Sequence, residues 1–479
     1  MLIPLRCAFA ILLLLMGATR VDAALGDELL KLTASDGQPL DSFGISVALG
    51  EGIALIGASE DDNSAGFDAG AAYLFDTATG AELAKLAPND PDEGTVFGES
   101  VAIDGGTAIV GAVVGNGVAG ATGAAYLFDV ATGTQTAKLV AADGATFDFF
   151  GGAVALSDGT ALVGSRFDDD AGDASGSAYL FDTTSGTQLA KLTANDAAAG
   201  NQFGGSVAVS IGVALIGSPR SDDAGDDSGA AYIFDASTGA QLSRLTPTDA
   251  AAFDRFGQSV DVDGGVALVG SPGVNDFTGA AYLFDANTGV QLARLAAIDA
   301  QAGDFFGRSV AIEGGFALVG SFRENDNAGA AYVFDVATGT QLAKLTAADT
   351  EEGDNFGFDV DLNGGTAILS SLFDDDGADN SGSAYLFEIA AMARPGPGDF
   401  SGNGVVDNDD LNLLLNNWGE PATPTGWNGR PVQGDFVDND ELNELLNFWG
   451  VGASAAVPEP SAAWLIAIGA VARGRRIRR

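Results

Sequence analysis

The chain has 479 residues, 66 of them acidic and 21 basic, and a formal net charge of −45. A surface this acidic repels phosphate backbones, so we expect no nucleic-acid partner, whereas cations and basic partners are favoured. The chain contains no histidine, which excludes Ser-His and Cys-His nucleophile pairs, HExxH zinc sites and imidazole bases.

The first 23 residues have the pattern of a secretory signal peptide. Arg6 precedes an apolar run at residues 7–16, and small residues follow at residues 21–23. A membrane anchor is the alternative, but an apolar run of this length is too short to span a bilayer. We therefore expect export, with Cys7, the only cysteine of the chain, removed together with the signal.

Residues 24–390 are dominated by one pattern that occurs seven times. Each copy opens on Phe-Gly and contains apolar runs separated by turn residues, four in a full copy, as expected of a four-stranded antiparallel blade. Glycine-containing tight turns join the first two runs, and Asp-x-x-Thr-Gly joins the last two in the first copy. The opening glycines are Gly44, Gly98, Gly151, Gly204, Gly257, Gly307 and Gly357, and the aligned tyrosines are Tyr73, Tyr126, Tyr179, Tyr232, Tyr282, Tyr332 and Tyr385.

The two ends of the repeat region complement each other. The seventh copy lacks its fourth run, and the sequence ELLKL at residues 28–32 matches the fourth run of the other copies. An N-terminal strand that completes the last blade would close the ring and remove open sheet edges. The sequence therefore predicts an all-β fold, a seven-bladed β-propeller closed by an N-terminal strand.

The repeated pattern also carries a family resemblance. FGxSVA, followed by GAS, GSP or GSF and then by GAAYxFD, resembles the FG-GAP repeats of integrin α-subunit propellers, and most closely their short bacterial version. The resemblance covers residues 30–388 and implies a propeller with a binding or adhesion role. Calcium-binding members carry a DxDxDG loop between the first two strands, where this chain has only a tight glycine turn, so calcium is not implied there.

Most acidic residues of the propeller region fall in the longer loops. Strand alternation places the loops between second and third strands on the same face as the inter-blade loops, opposite the tight turns. Long loops on a rigid scaffold often carry binding functions, so we expect an acidic face that binds an unknown protein or glycan; a merely solvated surface is the alternative. The candidate residues are Glu60, Asp61, Asp62, Asp168, Asp169, Asp170, Asp222, Asp223, Asp374, Asp375 and Asp376.

The sequence gives little support for catalysis in the propeller. All seven tyrosines occupy the same strand position, which favours packing within the blades over a role as general base. None of the four tryptophans lies in this region. A carboxylate pair of the glycosidase kind is the remaining enzymatic alternative, and no particular pair stands out.

A Pro- and Gly-rich linker at residues 391–397 precedes a second unit at residues 398–452. Its first half has the oxygen-ligand spacing of a calcium loop around the sharp turn at Gly404, followed by an amphipathic helix. An acidic turn without metal is the alternative. The predicted calcium ligands, at positions 1, 3, 5, 7, 9 and 12, are Asp399, Ser401, Asn403, Val405, Asp407 and Asp410.

The second half of this unit repeats the loop-helix pattern at residues 437–450. Asp438 and Glu441 align with positions 9 and 12 of a second loop, whose first ligand position is occupied by Arg430. The paired loop-helix pattern resembles a dockerin module. This resemblance implies a helical, calcium-binding fold, a tentative second calcium at Asp438 and Glu441, and a cohesin-like partner.

The last 23 residues, 457–479, contain three parts in a fixed order. Val457, Pro458, Glu459 and Pro460 precede an apolar run at residues 462–472 and then a cluster of arginines. This order resembles a PEP-CTERM sorting signal, which implies an exosortase-type sorting enzyme as a partner. A simple tail anchor is the alternative. Either interpretation predicts a protein of the cell envelope, the cell surface or the extracellular matrix.

Taken together, these patterns predict a secreted, surface-sorted binding or adhesion protein. One competing hypothesis is an enzyme or accessory component of extracellular polysaccharide degradation, which the dockerin resemblance suggests and the absence of histidine opposes. Another is a structural matrix protein.

Overall fold

The computed structural model describes residues 25–115, 117, 120–375 and 377–389, which form seven four-stranded antiparallel sheets. The predicted seven-bladed, all-β propeller is therefore confirmed. Residues 1–24 and 390–479 lie outside the described residues. The signal peptide, the linker, the calcium module and the sorting tail therefore stay predictions. Within the described residues, no helix is both long enough and apolar enough to cross a membrane.

The first strand, β1 (Glu28–Leu32), belongs to the last blade, and blade 1 begins with the next strand. Blade 1 contains β2 (Phe43–Gly50), β3 (Ile53–Ala58), β4 (Ala71–Asp76) and β5 (Glu82–Leu86); blade 2 contains β6 (Phe97–Asp104), β7 (Thr107–Ala112), β8 (Ala124–Asp129) and β9 (Thr134–Leu139); blade 3 contains β10 (Phe150–Ser157), β11 (Thr160–Ser165), β12 (Ser177–Asp182) and β13 (Thr187–Leu192).

The remaining blades follow the same order. Blade 4 contains β14 (Ser206–Ser210), β15 (Val213–Ser218), β16 (Ala230–Asp235) and β17 (Gln241–Leu245); blade 5 contains β18 (Ser259–Asp263), β19 (Val266–Ser271), β20 (Ala280–Asp285) and β21 (Gln291–Leu295); blade 6 contains β22 (Val310–Glu313), β23 (Phe316–Ser321), β24 (Ala330–Asp335) and β25 (Thr340–Leu345); blade 7 contains β26 (Phe356–Asn363), β27 (Thr366–Ser371) and β28 (Ser383–Glu388).

Two short helical turns lie in the loops between second and third strands, α1 (Val274–Phe277) in blade 5 and α2 (Glu324–Asn327) in blade 6. Inside α1, Asn275 and Asp276 have φ angles of 50° and 56°, and α2 contains the equivalent pair. These segments are therefore left-handed turns rather than true α-helices.

The ring closes as the sequence predicts. Strand β1 pairs antiparallel with β28, with Lys31 opposite Tyr385 and Leu32 opposite Ala384. The N-terminal strand thus supplies the outer strand that the seventh copy lacks. Closure leaves no open edge between the first and last blades.

The apolar cores lie between neighbouring blades. One cluster joins Phe43 and Tyr73 of blade 1 to Ile368 and Leu386 of blade 7, and the other seams contain equivalent clusters. The rings of Phe43 and Tyr73 meet edge to face, with centroids 5.6 Å apart. All seven repeated tyrosines are buried, which confirms the prediction that they pack within the blades.

The conserved spacing of Phe-Gly and the later glycine follows from how closely the blades approach. A Cβ atom on Gly57 would lie 2.0 Å from the carbonyl oxygen of Gly98 in the first strand of the next blade. Gly98 itself has a φ of 99°, a conformation that side chains rarely adopt. Glycine is therefore needed at both positions to bring the inner strands together.

Candidate functional site

The long loops gather on one face of the ring. The amide of Gly94, in an inter-blade loop, donates to the carbonyl of Phe67, in the loop between β3 and β4, at 2.8 Å. On the opposite side, Thr77 in one tight turn donates to Gly52 in the other, at 2.9 Å. The predicted division is confirmed, and we call the two sides the long-loop face and the tight-turn face.

A buried polar network anchors the long loop of blade 1. The Tyr73 hydroxyl lies 2.8 Å from Asp61 Oδ2 and 2.9 Å from Asp36 Oδ1, and it can donate to one at a time. Lys85 Nζ donates to the same two carboxylates at 2.9 and 2.8 Å. Burial, helped by the Asp61 charge, raises the pKa of Tyr73, so the phenol stays protonated and remains a donor.

The network recurs in three other blades with an acid at the same loop position. That acid is Asp168 in blade 3, Glu324 in blade 6 and Asp374 in blade 7, and each accepts from the tyrosine of its own blade. The partner cations are Lys191, Lys344 and Lys31. These acids are therefore structural groups that tie a loop to the sheet beneath it.

The remaining three blades replace the buried acid. The equivalent position holds Gly115 in blade 2, Ser221 in blade 4 and Val274 in blade 5. The strand tyrosine and a basic residue are kept in each of these blades. The loops of the seven blades therefore share a scaffold and differ in how firmly an acid anchors them.

The acid that follows the anchor performs a second task in blades 1, 3 and 4. An Oδ1 atom of Asp62 accepts the Asp68 amide at 3.0 Å, and Asp169 and Asp222 accept equivalent amides. Each of these aspartates spans its own loop while its side chain remains at the surface. The loop is thereby held in one shape, with a carboxylate presented outward.

The structure divides the predicted binding residues into two groups. Asp61, Asp168 and Asp374 are buried beneath the face and already paired, so they do not form part of an accessible surface. Asp376 lies outside the described residues. The exposed members are Glu60, Asp62, Asp169, Asp170, Asp222, Asp223 and Asp375.

One group of carboxylates has the spacing of a metal site. Single oxygen atoms of Asp143, Asp168 and Asp170 lie within 4.8 Å of one another. Lys191 Nζ contacts all three, at 2.7, 3.0 and 2.5 Å. The lysine ammonium group thus supplies the positive charge at the point where a cation would bind.

The first strands of the blades surround a central channel with a cavity of about 510 Å³. Side chains of one blade satisfy edge amides of the next: Asp359 and Asp361 accept from Val47 and Leu49 at 2.9 and 2.7 Å. Asp261 accepts from Ile312 in the same way, at 2.7 Å. These bonds clamp the inner strands of adjacent blades, including those at the closing seam.

Sequence reasoning missed these clamps, although a signal was present. In SVDVD and FGFDVDLN, acids alternate with apolar residues on a strand that is otherwise apolar. Burial raises the pKa of Asp261 to about 6 and also raises the pKa of Asp359 and Asp361. The channel therefore contains carboxyl groups that protonate at a higher pH than ordinary aspartates.

Comparison with known families gives one match. A sequence model described as the FG-GAP repeat matches residues 27–75, 81–128, 134–181, 187–234, 240–284, 290–334 and 340–387. Each matched segment runs from an outer strand to the third strand of the following blade. No curated protein matches the chain.

Proposed function

Because the chain belongs to the FG-GAP repeat family, we propose that it is an exported binding or adhesion protein that engages its partner through the long-loop face. One observation carries this proposal. Buried tyrosine-acid-lysine networks hold the long loops, and acids such as Asp62 and Asp169 span them while projecting from the surface. A rigid display of this kind reduces the entropy lost on binding.

The sequence outside the described residues supports a further part of the proposal. Residues 398–452 form a dockerin-like module that binds Ca²⁺ through the Asp399 to Asp410 loop and takes a cohesin-like partner. Residues 457–479 direct an exosortase-type enzyme to sort the protein to the cell envelope. The propeller then faces the exterior as the recognition unit.

Site-specific photo-crosslinking tests the binding role. A benzoylphenylalanine is placed at Ser64, exposed on the long-loop face, and in a matched variant at Glu51, exposed on the tight-turn face. Each full-length protein is incubated with native cell envelopes and irradiated. We expect a defined crosslinked protein or glycan from Ser64 only. Crosslinks that come equally from both positions, or only from Glu51, would contradict the proposal.

Charge neutralisation provides a second test of the same face. In a triple variant with Asp62, Asp169 and Asp222 changed to Asn, each amide oxygen can still accept the loop amide while the charge is lost. The control neutralises Glu51 and Asp158, which are exposed on the tight-turn face. We expect the triple variant alone to lose envelope binding, with both proteins melting at the wild-type temperature.

A further inference from the structure

The described arginines fall into two groups. Arg244 and Arg294, in outer strands, form the arginine salt bridges of the described part of the chain. The others lie on or near the long-loop face, which is otherwise acidic: Arg166, Arg220, Arg255, Arg308 and Arg323. Their position asks what an arginine without a salt bridge does among so many acids.

Two of these arginines enclose a pair of phenylalanines. The rings of Phe277 and Phe305 are stacked, with centroids 4.8 Å apart and planes 19° from parallel. The Arg323 guanidinium carbon lies 4.7 Å from the Phe305 centroid, and that of Arg255 lies 5.9 Å from the Phe277 centroid. The stack joins blades 5 and 6 and holds both guanidinium groups by cation-π contacts.

The same set of contacts continues to the mouth of the channel. Phe322 lies 5.6 Å from Phe305 and 5.5 Å from Phe358, measured between ring centroids. The Arg308 guanidinium carbon lies 5.0 Å from the Phe358 centroid, and both residues line the channel. We call this continuous set the arginine-phenylalanine arc; it consists of Arg255, Phe277, Phe305, Arg308, Phe322, Arg323 and Phe358.

The guanidinium groups of the arc are oriented but not neutralised by salt bridges. The Nε atom of Arg255 is buried and has no hydrogen-bond partner among the described residues. Asp359, which interacts electrostatically with Arg308, already accepts from Val47 and Ser309. A buried donor without an acceptor is rare in folded proteins and points to an acceptor supplied by a ligand.

We propose that the arginine-phenylalanine arc binds carboxylate side chains of a protein partner. Guanidinium groups match carboxylates with paired, charge-assisted hydrogen bonds, and stacking fixes them in advance. The exposed acids of blades 1, 3 and 4, such as Asp62 and Asp222, lie on the same face. The partner surface that fits therefore has a central acidic segment flanked by basic residues. This inference deepens the proposed function and depends on it.

The geometry favours a peptide over a glycan. Phe277 and Phe305 cover one ring face of each other, and Arg255 and Arg323 contact the same two rings. Little open ring face is left for a sugar to stack on. A long polyanion would also have to cross the exposed acids, whereas single carboxylates on a partner loop can pass between them.

Fluorescence anisotropy with the full-length protein tests this inference. The probe is a fluorescein-labelled peptide with four glutamates flanked by lysine pairs, and the control peptide has glutamine in place of glutamate. At low salt, we expect Arg323→Gln to weaken binding of the glutamate peptide about tenfold, the loss of one charged hydrogen-bonding group. The glutamine peptide should bind no variant.

Arg220→Gln is the matched control, because Arg220 occupies the same loop position as Arg323, two blades away, and follows Pro219 instead of a phenylalanine. It should change the affinity less than about twofold. Arg255→Lys keeps the charge but not the planar fork, and it should also weaken binding. Thermal melting of each variant separates loss of the site from loss of the fold.

Equal affinities for Arg323→Gln and Arg220→Gln would overturn the inference. An oligogalacturonate that binds as tightly as the peptide and with the same arginine dependence would also overturn it, in favour of a glycan site. If the peptide does not bind while Ser64 still crosslinks an envelope partner, the arc proposal fails and the proposed function stands.

Discussion

Lys31 of the closing strand donates to Asp374 of the last blade at 2.9 Å, although the two residues are 343 positions apart. In blades 1, 3 and 6, the lysine of the same network comes from the fourth strand of the same copy. The closing strand therefore completes a polar network as well as a sheet. Closure of the ring and anchoring of the last long loop are coupled through this pair.

Replacing Lys31 with Met should destabilise the protein by about 3 kcal/mol, because it leaves the nearly buried Asp374 charge without its cation. The control is Lys138→Met in blade 2, where the paired Asp90 is 49% exposed and the loss should stay below about 1 kcal/mol. Denaturant unfolding measures both values. Equal losses would show that the closing network has no special weight.

Deleting residues 25–35 should expose the edge of β28 and cause aggregation. Size-exclusion chromatography and thermal melting provide the measurement. A form that ends at Ile389 keeps β1 and all seven blades, and it should remain monodisperse with an unchanged propeller transition. Closure by β1 would be refuted if the N-terminal deletion melted like the parent protein.

Acidification from pH 7 to pH 5 should favour the wild type relative to Asp261→Asn. Burial raises the Asp261 pKa to about 6, above the 3.8 of an ordinary aspartate, so the folded state binds the proton more tightly than the unfolded state. Stability from this group is thus gained as pH falls through about 6 and lost as pH rises. The difference in unfolding free energy should change by about 2 kcal/mol; a constant difference would contradict the assignment.

Replacing Phe147 with Gly should leave the stability unchanged or raise it. Phe147 has a φ of 71° and is 62% exposed, while the equivalent residue of blade 4, Gly200, has a φ of 87°. Relief of the left-handed strain, about 1 kcal/mol, offsets the apolar contact and the chain entropy. Phe150→Ala, at a buried position, should by contrast cost about 3–5 kcal/mol. A large loss for Phe147→Gly would indicate that the exposed ring stabilises the fold.

Millimolar Ca²⁺ should produce binding heat with the full-length protein, and a variant with Asp399 and Asp410 changed to Ala should lose it. Tryptophan fluorescence provides a second readout, because all four tryptophans lie beyond the propeller. The propeller melting transition should not move. Calcium heat that survives in the double variant would place the ion elsewhere.

Sequence alone was sufficient for the architecture. Seven Phe-Gly openings, aligned tyrosines and the match between residues 28–32 and the other fourth runs predicted the blades and their closure. These features are encoded within each copy, because strand spacing and turn chemistry depend on residues close in the chain. The tight turn at Asp76 illustrates this, since its carboxylate accepts the Thr79 amide and hydroxyl as predicted.

The roles of the acids were decided by the tertiary structure. Asp61 and Asp62 are neighbours in one acidic run, yet Asp61 turns inward to Tyr73 and Lys85 while Asp62 remains at the surface. Composition cannot separate them, because the difference depends on which side chain faces the sheet. The arginine-phenylalanine arc shows the same limit: Phe277 and Phe305 belong to different copies, and only the packing of adjacent blades brings their rings together.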